Sequence, residues 1–176
     1  IPSTVKVYLL DGSEYDSWSV PDVNNRSGGM AAVDIDVDND GIFYVLDNID
    51  RAVKKFNSSG TFMSSFRVDG VDKWEWGPLS IVVASGQVFV TDSCNHKVNV
   101  WTTAGTYVRT IGSQGNQNGQ FTNPSGIALM NNSTIIVGDI SPSPVFARIQ
   151  SFSLSGAFKN AIKPDSGGFY PVAMAM

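Results

Sequence analysis

The sequence predicts an all-β fold assembled from stacked four-stranded antiparallel sheets, and three observations predict it. First, three stretches say the same thing in different residues: Gln87–Asp92 then Ser93–Trp101 then Thr102–Tyr107, Phe43–Asp47 then Arg51–Phe56 then Ser59–Phe62, and Ile135–Asp139 then Ala147–Phe152 then Ser155–Phe158. Second, the turn glycines Gly60, Gly105 and Gly156 recur at about 45–50 residues, the length of one four-stranded repeat. Third, no window of a dozen residues carries the three-and-four apolar spacing of an amphipathic helix.

Each repeat reads as an apolar inner segment, a turn, a strand ending in Asp, a short loop, a strand ending in an aromatic, a glycine hairpin and a last strand. One such sheet cannot bury both of its faces, so copies must stack, which makes a β-propeller. In chain order, Val5–Tyr8 with Gly12 and Tyr15 read as the two outer strands of a partial blade over 1–20. Complete blades follow at about 29–66, 77–112 and 124–162, with inner strands near 30–36, 79–84 and 126–130. Residues 169–176 read as the inner strand of a next blade, because Tyr170–Met174 aligns with Asn123–Ile127. Three complete blades with partial blades at both ends suit part of a larger, six-bladed ring; a four-bladed ring and half-rings that pair are the alternatives. The chain opens on Ile1 rather than Met, which suggests processing or excerpting.

The segment Asp92-Ser93-Cys94-Asn95-His96-Lys97-Val98 resembles the NHL-repeat family, named for its Asn-His-Leu neighbourhood. Gly119-Gln120-Phe121 and Asn123–Ala128 are similar to that family's entry into an inner strand. The resemblance is strong over 77–162, fair over 29–66 and weak at both ends. It implies a β-propeller, usually of six blades, and names no single function. The chain departs from the pattern by the Ser141–Pro144 insertion and by Asp50-Arg51 in place of Asn-His.

Composition bounds the function. Only 16% of the residues are charged, the net charge is −4 and the pI about 4.7, so the positive footprint that phosphate binding needs is missing and nucleic acid is disfavoured. No run of 18 apolar residues spans a membrane, and no secretory leader is visible. A low charge content with a Ser-, Thr- and Asn-rich surface suits an extracellular or cell-surface protein. The lone Cys94 excludes an internal disulfide. Glycosylation sequons begin at Asn25, Asn57, Asn131 and Asn132; about two are expected by chance, but Asn57 and Asn131/Asn132 fall at turns on one face of the propeller.

Asp36-Val37-Asp38-Asn39-Asp40-Gly41 has the opening of a calcium loop, with carboxylates at alternate positions and Gly for a sharp turn. Asp-Gly is equally a hairpin turn, so calcium on Asp36, Asp38 and Asp40 competes with a solvated turn. The single histidine, His96, cannot build the multi-histidine zinc site of a propeller lyase, and no G-x-S-x-G nucleophile elbow occurs. The reading is therefore a non-catalytic recognition or structural module that contacts a protein, a neighbouring subunit or a glycan. The alternative is a calcium-dependent hydrolase, lactonase or lyase whose remaining ligands lie outside this chain. The loops opposite the acidic turn gather Trp74, Trp76, Arg51, Asn95 and His96, residue types that make interface anchors.

Overall fold

A computed structural model describes residues 4–20, 32–48, 50–68, 78–141 and 147–163. Trp74, Trp76, Asn25, the inner strand expected at 169–176 and all of the 141–144 insert except Ser141 lie outside the described residues. Every element among the described residues is a strand or a turn; none is a helix. Short runs of five to eight residues, some alternating and some continuously apolar where both faces are covered, form strands between glycine turns.

β1 (Thr4–Tyr8) pairs with β2 (Glu14–Ser19) as a two-stranded sheet. β3 (Ala32–Val37), β4 (Phe43–Asp47), β5 (Ala52–Phe56) and β6 (Phe62–Arg67) form the first four-stranded sheet. β7 (Pro78–Ala84), β8 (Gln87–Asp92), β9 (Lys97–Thr102) and β10 (Tyr107–Ile111) form the second. β11 (Asn123–Met130), β12 (Thr134–Ile140), β13 (Arg148–Ser153) and β14 (Phe158–Ile162) form the third. Each is an antiparallel meander in chain order, the blade geometry the repeats predict. The innermost strands β3, β7 and β11 lie side by side.

The repeat is exact in register where it matters. Ile35, Ile81 and Ile127, spaced 46 residues apart, face Val45, Val90 and Val137 on the second strands. An irregularity interrupts each inner strand just before these positions. Apolar clusters fill the spaces between sheets: Val20, Val45 and Phe56 between the partial and first sheets, Leu46, Val53, Ile81 and Val88 between the first and second, Phe89, Val98, Phe121 and Ile135 between the second and third.

The recurring glycines follow from the same stacking. Gly60, Gly105 and Gly156 adopt positive φ of 72°, 88° and 96° at hairpin bends closed by hydrogen bonds from Gly60, Gly105 and Gly156 N–H to the carbonyls of Asn57, Thr102 and Ser153. A Cβ at each would also collide with the last strand of the preceding sheet: Trp18 at 2.6 Å, Phe66 at 2.6 Å and Ile111 at 2.9 Å. Trp18 therefore stands where Phe66 and Ile111 stand, which identifies β1 and β2 as the outer half of a blade. A groove of about 590 Å³ between β1 and β3 lies where the inner half would sit.

Candidate functional site

The inner strands enclose a concave surface, an axial groove of about 760 Å³ lined by β3, β7 and β11 and by the turns that follow them. One wall is acidic, carrying Asp34, Asp36, Asp38 and Asp40. The other walls carry Val82, Ala84, Ala128 and Leu129, and among the described residues no basic side chain lines the groove. The asymmetry is written in the repeat. The positions of Asp34 and Asp36 are held by Ser80 and Val82 in the second sheet and by Gly126 and Ala128 in the third.

These carboxylates hold strands together. Asp34 Oδ1 accepts the N–H of Ile35 at 2.9 Å, while Oδ2 accepts the N–H of Ile81 at 2.8 Å and the hydroxyl of Ser80 at 2.6 Å. Asp36 repeats the pattern, with Oδ1 on Val37 N–H at 2.8 Å and Oδ2 on Val83 N–H at 2.6 Å. Each carboxylate thus bridges equivalent amides of two neighbouring blades. Ser80 Oγ in turn accepts the N–H of Ile127 at 3.3 Å, so a polar chain crosses all three inner strands. Burial pushes the Asp36 carboxyl above the ordinary carboxylate range, and the neighbouring charges of Asp34 and Asp38 add to it against the pull of its two N–H donors.

The acidic turn does not gather its side chains around a common point. Asp38 Oδ1 accepts the N–H groups of Asp40 and Ile42 at 3.0 and 2.9 Å, and its Oδ2 accepts the Tyr44 hydroxyl at 2.9 Å. Burial first, and this hydrogen bond second, raise the Tyr44 phenol well above its usual value. Among the described residues no group of three or more His, Cys, Asp or Glu side chains is placed to hold a metal ion. Asp36, Asp38 and Asp40, the residues read as the opening of a calcium loop, form no such group in this structure. Asp36 faces the next blade along the strand period, while Asp38 turns back to close its own hairpin.

On the opposite face, Asp47, Asp92 and Asp139 end the second strands, as the repeats predict, and act as buried anchors. Asp47 Oδ1 accepts Asp50 N–H at 2.9 Å, and Lys54 Nζ sits 2.9 Å from Asp47 and 2.7 Å from Asp50 with its side chain wholly buried. In the second blade, Asn95 and Asn99 donate to Asp92 at 2.9 to 3.2 Å. In the third, Asp139 accepts Thr122 and Asn123 N–H at 2.7 and 2.9 Å and pairs with Arg148 at 3.2 Å. Burial raises the carboxyls of Asp92 and Asp139 despite these donors.

Of the residues expected to form a contact face, Asn95 is therefore committed to Asp92. His96, at φ 57°, donates from Nδ1 to the carbonyl of Thr122 on the way into the third sheet. Arg51 is half-buried at φ 50° in the equivalent loop. Asn131 and Asn132 are exposed at a hairpin bend with φ of 51° and 52°, and Asn57 is half-buried, its Oδ1 accepting from Ser59 and Thr61. Sequence reasoning missed the bridging role of Asp34 and the buried Lys54. The signal for Asp34 was present: aligned at 46 residues, Asp34 and Asp36 are the only carboxylates in the described inner strands, at positions that the other two fill with Ser, Gly, Val or Ala.

Comparison with known proteins agrees with the architecture. Virginiamycin B lyase from Staphylococcus aureus is 14% identical with a TM-score of 0.62, over 97% of this chain and 48% of its own. A Bacteroides caccae protein of unknown function is 15% identical with a TM-score of 0.67, over 94% and 57%. A chain of the nidogen/laminin complex is 19% identical with a TM-score of 0.57, over 74% and 46%. The chain spans about half the length of these structures, and at such identities the likeness is one of fold. No curated protein matches it. Residues 72–167, more than half of the chain, match a family described as a 6-bladed beta-propeller, and the chain belongs to that family.

Proposed function

We propose that the chain is the recognition part of a β-propeller that acts outside the cell or at its surface, contacts a protein or a glycan, and performs no catalysis of its own. The observation that supports this is how the axial groove is furnished. It is concave, about 760 Å³ in volume and mixed polar and apolar in lining, the character of a ligand site. Yet three of the four carboxylates there are engaged: Asp34 and Asp36 bridge strands, and Asp38 closes its own turn. His96 lies in a loop of the opposite face, bound to Thr122. The nidogen/laminin neighbour shows a propeller in a protein complex, which is consistent with this reading. We further assign the repeats to the NHL type on the Asp92–Val98 segment, and Trp74, Trp76 and Arg51 to a second contact surface on the opposite face.

Screening the full chain against glycan and extracellular-protein arrays, alongside turnover assays on esters, lactones and cyclic depsipeptides with and without millimolar calcium, tests the proposal. Saturable binding without turnover is expected. Turnover that chelator abolishes would establish the calcium-dependent hydrolase or lyase instead.

A further inference from the structure

We propose that the axial groove takes an extended, basic peptide segment, paired by backbone hydrogen bonds to Leu129 on the free edge of β11; this deepens the recognition reading above and rests on it. The argument begins with the inner-edge amides. Along an antiparallel strand, N–H groups leave alternate edges, so Ile81 and Val83 point their N–H groups the same way, as do Ile127 and Leu129. Ile81 and Val83 are met by Asp34 and Asp36 from the preceding blade, and Ile127 by Ser80. Leu129 comes next. The residue that should meet it, by the 46-residue register, is Val82, and a valine side chain offers no acceptor.

Leu129 lines the groove together with Val82, and the alternation along the strand turns its amide and carbonyl to the same inner edge as the amide of Ile127. A residue in extended conformation answers both: its carbonyl accepts from Leu129 N–H and its own N–H donates to the Leu129 carbonyl, the doubly bonded pair of an antiparallel ladder. The facing wall fixes the charge of the occupant. Asp34, Asp36, Asp38 and Asp40 line the groove with no lysine, arginine or histidine beside them among the described residues, so a strand bearing Lys or Arg is attracted and an acidic one repelled. Ala84 and Ala128 leave room for the strand where larger residues would fill the space.

The test uses the full chain and capped hexapeptides of alternating Lys and Thr, the same peptide with every backbone nitrogen methylated, an alternating Glu and Thr peptide, spermidine, and a neutral oligosaccharide. The Lys peptide is expected to bind in a salt-sensitive manner and the Glu peptide not at all. Backbone methylation should weaken binding about tenfold or more. Val82→Asp supplies the missing acceptor to Leu129 while adding negative charge. Pairing at Leu129 predicts that this variant binds the Lys peptide about tenfold more weakly, whereas attraction by charge alone predicts tighter binding. Should Val82→Asp fail to fold, the methylated peptide decides alone. Equal binding of the methylated peptide, tighter binding by a folded Val82→Asp, or binding of spermidine as strong as that of the peptide each overturns the inference. Oligosaccharide binding without peptide binding also overturns it but leaves the recognition reading standing. Binding of no probe, with arrays equally silent, defeats both.

Discussion

Asp36 on β3 accepts the N–H of Val83 on β7 at 2.6 Å through one carboxylate oxygen while the other accepts the N–H of its own neighbour Val37 at 2.8 Å. One side chain thus satisfies the same rung of two successive blades. The price of that position is desolvation, which raises its carboxyl above the ordinary range. The sign follows. With the folded pKa raised, the folded state holds its proton more tightly than the unfolded chain, so this group's contribution is fully present below the unfolded value and is lost as pH rises through the folded one. Asp36→Asn removes that titration. Between pH 7 and pH 4, wild type should gain stability relative to Asp36→Asn, measured by urea denaturation at each pH. A parallel pH dependence of the two proteins would show that Asp36 is not penalised by burial.

Lys54 is predicted to be indispensable to the fold for a reason of charge. Its ammonium lies within 2.9 Å of Asp47 and 2.7 Å of Asp50, and all three side chains are buried. Lys54→Met keeps the stem's packing but leaves two carboxylates facing each other without a cation. Removing one partner of a buried pair costs about 3–5 kcal/mol. Chemical denaturation of Lys54→Met should show a loss of that order, and Lys54→Met combined with Asp47→Asn and Asp50→Asn should recover part of it. A loss below about 1 kcal/mol would mean that solvent reaches the cluster.

Gly105 tests the stacking of blades. Its φ of 88° disfavours any side chain, and a Cβ there would stand 2.6 Å from Phe66 on the preceding sheet. Gly86 has a similar φ of 71° but open space around it. Both Gly→Ala variants carry the backbone strain; only Gly105→Ala adds the clash, worth about 1–3 kcal/mol of overpacking. Thermal unfolding should therefore rank Gly105→Ala well below Gly86→Ala. Equal losses would place the cost in the backbone alone.

The blades were legible because their code is local and repeated: a strand ending in Asp, an aromatic, then a glycine at the bend. The site was legible only in part. The alternating acids of Asp34–Asp40 were visible, but the partners of Asp34 and Asp36 are amides 47 residues away, and a single carboxylate looks the same in sequence whether it binds an ion or another strand. Lys54 was unreadable for a related reason, since its neighbours in sequence, Val53 and Lys55, say nothing of burial beside Asp47. Asn95 and His96 stood out in the sequence as contact residues, yet loop residues of these types serve equally as anchors for a partner or as locks for the chain itself.

His96 separates those two roles. Its Nδ1 donates to the Thr122 carbonyl, tying the loop between β8 and β9 to the entry of β11, and its φ of 57° places it in a region that glycine occupies without penalty. His96→Ala loses the hydrogen bond and keeps the backbone strain, whereas His96→Gly loses the hydrogen bond and relieves the strain. A structural lock predicts that both variants are destabilised by the bond, about 1 kcal/mol, with glycine the milder of the two. Partner binding at saturating protein should then be unchanged in the folded fraction of either. If thermal stability stays at the wild-type level while binding falls in both, His96 belongs to the contact surface and Thr122 merely orients its ring.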